Sequence, residues 1–223
     1  MSKIHGGRVR AAVFDLDGTI ADSEPRSRQA LRWLFEYYRV PHDDALLGRF
    51  VGRRGREVFA ELGHLFPGRD PAQLAAEAAA RFHTPGQPPI GALPGAVELA
   101  GEIHRLGDPL ALVTSASRDH AVPVLDRLGL LGLFTVIVAG DDVTSGKPDP
   151  EGYRRASDEL GVAPSRCVAF EDSPAGLAAA RSAGLYCVAV ATTHPRSELG
   201  DADQIVSDLS EVTWPVVVRP VTD

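Results

Sequence analysis

Short apolar segments of this chain end abruptly at acidic residues, and this feature constrains the fold more than any other. Residues 9–14 form a mostly apolar run that ends at Asp15-Leu16-Asp17-Gly18. Residues 167–170 end in the same way at Glu171-Asp172. Such runs are typical of buried strands, and ligands of open parallel sheets bind beyond the carboxyl ends of the strands. We therefore expect a polar site where these two segments end.

Strand-like and helix-like segments alternate in the later part of the chain. The predicted strands are residues 9–14, Leu110–Val113, 134–139, 167–170 and 187–190, and the predicted helices are residues 96–106, 119–128, Glu151–Leu160 and 175–182. This alternation indicates right-handed crossovers and a parallel sheet covered by helices on both faces. The predicted fold class is therefore α/β, with a doubly wound parallel sheet.

An all-helical insertion is predicted after the first strand. Apolar residues recur at helical spacing after Ser23 until Pro41 ends the helix, and residues 58–66 and Pro71–Phe82 are also predicted to be helical. Residues 84–94 contain four prolines and two glycines, a composition typical of a hinge or linker. The predicted organisation is a core domain of residues 1–21 and 91–223 and a helical domain of residues 22–90.

The composition excludes several classes of protein. The chain has 223 residues, 44% of them hydrophobic, and a formal net charge of −7, so a general nucleic-acid binder is not expected. Its longest nearly apolar run, residues 128–140, is too short for a membrane span, and the start has no signal-peptide core. Cys167 and Cys187 lie in apolar stretches and are predicted to be buried free thiols. We expect a cytoplasmic protein that acts without a membrane or nucleic acid.

The acidic residues at the strand ends favour a divalent cation. Asp15 and Asp17 are two positions apart and share a face of an extended strand. Two carboxylates this close both ionise only with a cation between them. Asp172 would bring a third carboxylate from another strand end. Oxygen ligands of this kind suit Mg²⁺, which keeps several waters and prefers phosphate-bearing substrates.

The remaining polar residues at this edge fit a phosphate. Lys147 can supply positive charge, Thr114 or Ser115 can supply a hydroxyl and a backbone N–H, and Gly18 permits a close turn. One aspartate could attack phosphorus and form an aspartyl phosphate, while a second carboxyl group two residues away could exchange protons with the leaving alcohol and with water. The sequence therefore predicts phosphoryl transfer.

Competing motifs fail on their spacing. Asp15-Leu16-Asp17-Gly18 lacks the later acids of a calcium loop, and it follows a strand rather than a helix. Gly146-Lys147 lacks the earlier glycine of a nucleotide-binding P-loop, and Pro148 replaces its Ser or Thr. The chain contains neither a zinc-peptidase nor an esterase signature.

Four segments together resemble the motifs of the haloacid dehalogenase-like (HAD) hydrolases. Residues 15–23 resemble the first motif, 113–115 the second, 146–150 the third and 170–176 the fourth. They occur in the family's order and spacing, and the resemblance runs from about residue 9 to about residue 218. It implies a Rossmann-like core in which residues 22–90 form the small α-helical cap of the beta-phosphoglucomutase-like and sugar-phosphatase branch.

The resemblance implies a role for each matching residue. Asp15 would be the nucleophile, and Asp17 the general acid/base. Lys147 would stabilise the nucleophile and the phosphoryl group, which either Thr114 or Ser115 would bind.

The resemblance also implies a magnesium site. Asp15, Asp17 through its backbone carbonyl, and Asp172 would hold Mg²⁺, with Glu171 close behind. Dehalogenase members of the family lack the second Asp of the first motif, so Asp17 favours phosphate chemistry.

The substrate is expected to be a small phosphorylated metabolite. Lys3 and Lys147 are the only lysines, so the helical insertion lacks the Schiff-base lysine of phosphonoacetaldehyde hydrolases, and Ser27 stands where sugar-phosphate mutases typically carry a His. Arg53, Arg54 and Arg118 are candidate substrate-binding residues for hydroxyls, a carboxylate or a second phosphate.

We expect a phosphatase of sugar or polyol phosphates that is a monomer or weak dimer. The alternatives are a phosphoglycolate phosphatase, a beta-phosphoglucomutase-like mutase and, more remotely, a non-catalytic metabolite sensor.

Overall fold

One parallel sheet forms the centre of the protein, which is described by a computed structural model over residues 9–87 and 89–217. The strands are β1 (Ala11–Phe14), β2 (Leu110–Val113), β3 (Phe134–Val138), β4 (Cys167–Glu171), β5 (Tyr186–Val190) and β6 (Gln204–Val206). They lie in the order β3-β2-β1-β4-β5-β6, and every neighbouring pair is parallel. The α/β fold expected from the sequence is confirmed.

After β1 the chain first forms four helices: α1 (Glu24–Tyr37), α2 (Asp44–Gly48), α3 (Gly55–Glu61) and α4 (Pro71–Phe82). They pack around an apolar cluster of their own, in which the rings of Phe35 and Phe66 lie 5.1 Å apart and those of Phe50 and Phe59 lie 4.8 Å apart. Asp70 caps α4 by accepting a hydrogen bond from the backbone of Gln73. We call residues 22–90 the helical insertion.

The single helix expected over residues 58–66 is wrong in its extent. Helix α3 begins at Gly55 and ends at Glu61, and a separate 3-10 turn follows over Gly63–Leu65. Gly63 is a poor helix former, so the α-helix does not continue through it. Helix α2 was not expected, because five residues are too few to display a helical period.

Four more helices cover the two faces of the sheet: α5 (Ala96–Arg105), α6 (Arg118–Arg127), α7 (Glu151–Leu160) and α8 (Pro174–Ala183). Alternation along β1 places Ala12 and Phe14 in the apolar cluster on one face and Ala11 and Val13 in the cluster on the other. A parallel sheet with helices on both sides buries both faces, which explains why its strands are apolar throughout. Among the residues described, no helix is both long and apolar enough to cross a membrane.

The two connections between the helical insertion and the core lie side by side. The backbone N–H of Asp22 donates to Gly91 O at 2.9 Å, and that of Leu93 donates to Ile20 O at 2.8 Å. Ala21 and Ala92 form an isolated antiparallel bridge between these bonds. The entry and exit of the insertion are thereby fixed beside the carboxyl end of β1.

Candidate active site

The residues singled out at the strand ends meet at one edge of the sheet. Asp15 directly follows β1, Thr114 follows β2, and Glu171 ends β4, while Lys147 lies in the loop between β3 and α7. Since all six strands are parallel, their carboxyl ends lie at the same edge. The geometry therefore brings together side chains that are far apart in the sequence, from Asp15 to Asp172.

Lys147 is buried between two carboxylates. Its Nζ donates to Asp15 Oδ1 at 2.5 Å, to Glu171 Oε1 at 2.5 Å and to Val113 O at 3.1 Å. Tyr153 donates its hydroxyl proton to the same Glu171 oxygen at 2.7 Å. Burial opposes the charge of Lys147, but the two carboxylates raise its pKa well above the ordinary value. Lys147 is therefore a fixed cation beside Asp15.

Three buried carboxyl groups form a cluster that could hold a metal ion. One oxygen each of Asp15, Glu171 and Asp172 lies within 4.8 Å of the others. Asp15 Oδ2 and Asp172 Oδ1 are buried and have no hydrogen-bond partner among the described residues, whereas Asp172 Oδ2 accepts a bond from the hydroxyl of Thr193. Burial raises the pKa of Asp15 to about 7 and the pKa of Asp172 well above its ordinary value. Unpartnered buried carboxylate oxygens fit a hard divalent cation, which offsets their charge.

Gly18 lets the chain pass directly against this acidic cluster. Its φ is +87°, and a Cβ atom at this position would overlap the carboxyl group of Asp172. Thr192 donates its hydroxyl proton to the Gly18 carbonyl and ties the turn to the segment after β5. A glycine is required here for both conformation and space.

Asp17 points to a different set of partners. Its Oδ1 accepts a hydrogen bond from Ser23 Oγ at 2.5 Å and one from the His120 ring N–H at 3.1 Å. Burial opposes ionisation of Asp17, but His120, the hydrogen bond from Ser23 and the charge of Lys147 together outweigh it and lower the pKa of Asp17. Burial also opposes the charge of His120, and Asp17 in turn raises the pKa of His120. The carboxylate of Asp17 therefore binds a histidine, whereas the carboxylates of Asp15 and Glu171 bind Lys147.

The hydroxyl groups of Thr114 and Ser115 have different environments. Ser115 Oγ donates to the carbonyl of Gly52, in the helical insertion, at 2.9 Å. Thr114 Oγ1 accepts a hydrogen bond from the backbone of Ala116 at 3.1 Å, which leaves its proton for another acceptor. Both residues line the cavity described below.

Of the two neighbouring arginines, Arg53 lines the cavity and Arg54 contacts the core. The Arg53 guanidinium binds both carboxylate oxygens of Glu61 and lines the cavity. Arg54 is only 5% exposed, and its guanidinium donates to Val143 O at 2.8 Å and Thr144 O at 3.1 Å in the loop before Lys147. Arg54 therefore links the insertion to the core.

Arg118 lies at the start of α6 and is partly exposed. Its Nη2 donates to Asp142 Oδ2 at 2.6 Å and to Ile137 O at 2.7 Å. It is not among the residues that line the cavity, so the structure does not bring it to the acidic cluster.

A cavity of about 240 Å³ lies between the sheet edge and the helical insertion. Asp15, Asp17 and Thr114 lie at its core side, together with His120. The insertion contributes mainly apolar side chains, among them Leu31, Phe50, Ala75, Ala78 and Phe82. Of the acidic cluster, Asp15 faces this space, and the insertion forms the opposite wall.

His120 was missed by the sequence reasoning, and so were Ser23 and Tyr153 as partners of the acids. His120 lies in the first turn of α6, and its ring packs 5.1 Å from Phe82 and 5.5 Å from His83 of the insertion. A single His in a helical segment matches no sequence motif, so no motif indicated its role. Its position on the buried side of the first turn after the Thr114-Ser115 segment was the available signal.

A doubly wound parallel sheet with a buried aspartate, a lysine and two further acids at one edge defines an enzyme whose central group is a carboxylate. The chain belongs to the haloacid dehalogenase-like hydrolases, because the sequence profile described as haloacid dehalogenase-like hydrolase matches residues 9–184. The family expected from the four motifs is confirmed.

Curated relatives are similar over nearly the whole chain. Validoxylamine A 7'-phosphate phosphatase of Streptomyces hygroscopicus subsp. limoneus is 44% identical over 92% of this chain and 97% of its own length. Hexitol phosphatase A of Escherichia coli K12 is 32% identical over 92% of this chain and 94% of its own length. A crystal structure of CbbY from Rhodobacter sphaeroides with xylulose-(1,5)-bisphosphate superposes with a TM-score of 0.80 at 30% identity, covering 91% of this chain and 96% of that one. The expected enzyme class, a phosphoric monoester hydrolase, is confirmed.

Proposed function

We propose that this chain is a Mg²⁺-dependent phosphatase of a small sugar or polyol phosphate that works through an aspartyl phosphate on Asp15. One observation carries the proposal: Asp15 lies at the cavity with one carboxylate oxygen bound by Lys147 and the other buried without a hydrogen-bond partner among the described residues. The names of two relatives, which specify a validoxylamine phosphate and hexitol phosphates, support a polyhydroxylated leaving group.

The metal-binding residues we propose are Asp15, Asp172 and the backbone carbonyl of Asp17, with Glu171 behind them. The unpartnered oxygens of Asp15 and Asp172 support this assignment. Bound Mg²⁺ would supply positive charge that keeps these carboxyl groups ionised and offsets the charge of the phosphoryl oxygens. Glu171 already accepts hydrogen bonds from Lys147 and Tyr153, so its proposed part is to hold Lys147 in place.

In the first half-reaction, the carboxylate of Asp15 attacks phosphorus and the bond from phosphorus to the ester oxygen breaks. Asp17 gives a proton to the departing oxygen. Because Ser23 and His120 both bind Asp17 Oδ1, we assign the proton transfer to Oδ2. The hydroxyl of Thr114 donates a hydrogen bond to a phosphoryl oxygen, and Lys147 offsets the negative charge of the phosphoryl group.

In the second half-reaction, Asp17 takes a proton from water and the water oxygen attacks phosphorus. The bond from phosphorus to Asp15 breaks, which releases phosphate and restores the carboxylate. Asp17 thus acts as acid and then as base with the same oxygen.

The proposed domains are a core of residues 1–21 and 91–223 and a mobile helical cap of residues 22–90; residues 1–8, 88 and 218–223 of these ranges lie outside the described residues. The contacts of Gly52 with Ser115 and of Arg54 with Val143 and Thr144 correspond to a closed arrangement. Opening at the paired segments near residues 21–24 and 85–94 would admit substrate, and closure would exclude bulk water during the attack.

The proposed location is the cytoplasm. Cys167 and Cys187 are both buried and unpaired, as the sequence predicts. Free thiols fit a compartment in which glutathione and thioredoxin keep cysteines reduced.

The test is Asp15→Asn, assayed with p-nitrophenyl phosphate in the presence of Mg²⁺ or EDTA. We expect wild-type turnover that EDTA abolishes and a loss of at least about a thousandfold in the variant, because an amide cannot attack phosphorus. Asp126→Asn, on the exposed side of α6, is the control for removing a carboxylate. Circular dichroism checks that both variants fold, and wild-type rates in folded Asp15→Asn would contradict the proposal.

A further inference from the structure

Two residues that follow β5 contact Asp172, one of the proposed metal-binding residues. The hydroxyl of Thr193 binds Asp172 Oδ2, and the same hydroxyl oxygen lies 3.1 Å from the backbone carbonyl of Asp172. His194 Nδ1 lies 3.1 Å from that carbonyl and 3.0 Å from Thr193 Oγ1. Neither Thr193 nor His194 belongs to the four segments that carry the family resemblance.

The directions of these hydrogen bonds follow from the groups that make them. A backbone carbonyl can only accept, so His194 Nδ1, which lies against the Asp172 carbonyl, carries a proton. Protonated Nδ1 can only donate to Thr193 Oγ1, so the single hydroxyl proton of Thr193 goes to another acceptor. Asp172 Oδ2 is nearer to Thr193 Oγ1 than the Asp172 carbonyl is, and a carboxylate is the stronger acceptor. His194 therefore donates to Thr193, and Thr193 donates to Asp172 Oδ2.

This arrangement distinguishes the two carboxylate oxygens of Asp172. The residue is fully buried, and Thr193 binds Oδ2, whereas Oδ1 has no hydrogen-bond partner among the described residues. The last torsion of an aspartate has broad minima, so its carboxyl group turns easily when nothing holds it. A hydrogen bond that fixes Oδ2 also fixes Oδ1, which stays available to a cation shared with Asp15 and Glu171.

The turn after β1 covers the contact between Thr193 and Asp172. A Cβ atom at Gly18 would overlap both Asp172 Oδ2 and the methyl carbon of Thr193, so only a glycine fits over this hydrogen bond. Thr192 binds the Gly18 carbonyl through its hydroxyl and holds the turn against the segment after β5. On this side, water cannot replace the Thr193 hydroxyl as the partner of Asp172.

We infer that Thr193 is a positioning residue for metal binding, which holds Asp172 Oδ2 with a proton directed by His194 and so keeps Asp172 Oδ1 free for the cation. The inference rests on the proposed function, because it concerns the cation of the same site. It adds the segment after β5 to the segments that build this site. Replacing a residue that orients a metal ligand typically weakens metal binding by about ten- to a hundredfold.

The first experiment measures cation binding without turnover. Mn²⁺ accepts the same oxygen ligands as Mg²⁺, and its electron paramagnetic resonance signal gives the concentration left free in solution. We expect Thr193→Val, which keeps the shape of the side chain and removes the hydroxyl, to raise the Kd of Mn²⁺ by about tenfold. Thr193→Ser keeps the hydroxyl and is expected to stay within about threefold of the wild-type Kd. Thr135→Val, at an exposed position of β3, is the matched control and is expected to bind as the wild type does.

The outcomes separate the inference from the proposed function. Circular dichroism checks that each variant folds, and folded Thr193→Val that binds Mn²⁺ with the wild-type Kd would overturn the inference alone. Equal losses in Thr193→Val and Thr193→Ser would also overturn it, because the shape of the side chain and not its hydroxyl would then matter. If the wild-type protein binds no Mn²⁺ that Mg²⁺ displaces, the proposed metal site fails and the inference fails with it.

The second experiment tests His194. His194→Leu removes the Nδ1 donor, whereas His194→Asn can place an amide N–H close to the same point. We expect His194→Leu to raise the Kd of Mn²⁺ by about threefold and His194→Asn to change it less. Equal Kd values for the two variants would overturn the role of His194.

The third experiment asks whether Thr193 acts through the cation. Hydrolysis of p-nitrophenyl phosphate by Thr193→Val is expected to need more Mg²⁺ for its half-maximal rate but to approach the wild-type kcat at saturating Mg²⁺, because Asp172 itself remains. A purely structural defect is not corrected by added Mg²⁺. A kcat that stays low at saturating Mg²⁺ would therefore overturn the inference.

Discussion

The two hydrogen bonds on Asp17 Oδ1 decide what its side chain can do. Ser23 and His120 hold one oxygen, so the carboxyl group cannot rotate freely and Oδ2 keeps one direction. The charge of His120 lowers the pKa of Asp17, which favours the ionised form that acts as a base. A phosphoryl dianion arriving beside Asp17 raises that pKa and favours the protonated form that acts as an acid. Both roles therefore depend on where this side chain is held.

His120 is the residue that tests this orientation. We expect His120→Ala to lower kcat for alkyl phosphates by about tenfold, because Asp17 loses an orienting hydrogen bond, while His120→Gln keeps a donor and retains most of the rate. With p-nitrophenyl phosphate the loss is expected to be smaller, because p-nitrophenolate leaves with little help from an acid. The measurement is kcat and KM for the three proteins on both substrates, and equal losses on both would argue for a purely structural role.

Asp172 gives a prediction about metal binding that does not depend on turnover. The buried, unpartnered Asp172 Oδ1 and Asp15 Oδ2 predict that Mg²⁺ binds the folded protein and raises its melting temperature by several degrees. Asp172→Asn is expected to reduce this rise strongly. The measurement is the melting temperature as a function of Mg²⁺ concentration. Ca²⁺ serves as a second ion, and Asp203→Asn is the control substitution. A full rise in Asp172→Asn would place the metal elsewhere.

At the scale of residues, the sequence indicates that the acids and the lysine lie at the sheet edge, where the structure has them, but it does not indicate the residues that contact them. Asp15, Lys147 and Asp172 follow strands or stand in short turns, where position along the chain fixes position at the sheet edge. His120 reaches Asp17 because of the orientation of α6 about its axis and because the His120 ring packs against Phe82. Neither feature can be predicted from the spacing of residues in the sequence. The same holds for Arg54, whose burial depends on where the insertion rests.

At the scale of elements, residues 52–57, which lead into and begin α3, link the helical insertion to the core. Gly52 accepts from Ser115, and Arg54 donates to two carbonyls of the loop that leads to Lys147. Glu57 completes the contact by accepting from Gly146 N at 3.1 Å. This segment therefore contacts the Thr114-Ser115 turn after β2 and the loop of Lys147 at the same time.

Gly52 permits this close approach. Its φ is +71°, and a Cβ there would overlap the side chain of Ser173 at the start of α8, whereas Gly68 has φ +73° and nothing within 4 Å of its Cβ position. Ala at either position costs about 1 kcal/mol of stability through its strained backbone. We expect only Gly52→Ala to lower kcat/KM, by about tenfold, because the insertion can no longer settle on the core. Steady-state kinetics and melting temperatures of the two variants measure this, and equal activity losses would contradict it.

The elements also differ in how well the sequence predicts them. Helix Glu151–Leu160 and strand Leu110–Val113 have the predicted limits, because each has a complete apolar period and a clear break at its ends. Strand β6 was not expected, since its three residues, Gln204–Val206, are too few to display a period and depend on pairing with β5. Short elements of this kind are fixed by their neighbours and not by their own residues.

At the scale of the whole molecule, the apolar interior consists of separate clusters. One cluster lies on each face of the sheet, and a third belongs to the helical insertion. Cys167 of β4 and Cys187 of β5 both belong to one sheet-face cluster. Opening of the insertion would not expose them, because their cover is formed by helices on the core.

The two thiols therefore report unfolding of the core alone. Burial raises the pKa of both Cys167 and Cys187 to about 12, so at pH 8 each is a neutral thiol, and a thiol reagent attacks the thiolate. We expect native protein at pH 8 to react with an aromatic disulfide reagent far more slowly than guanidinium-unfolded chain, which reacts at both cysteines. Gly68→Ala, which strains the backbone of the insertion and whose Cβ would contact nothing within 4 Å, is expected to leave the native rate unchanged. Leu177→Ala creates a cavity in the same cluster as the cysteines, removes about 2–5 kcal/mol of stability and is expected to accelerate the reaction strongly. An equal acceleration in both variants would mean that the insertion and the core unfold as one unit.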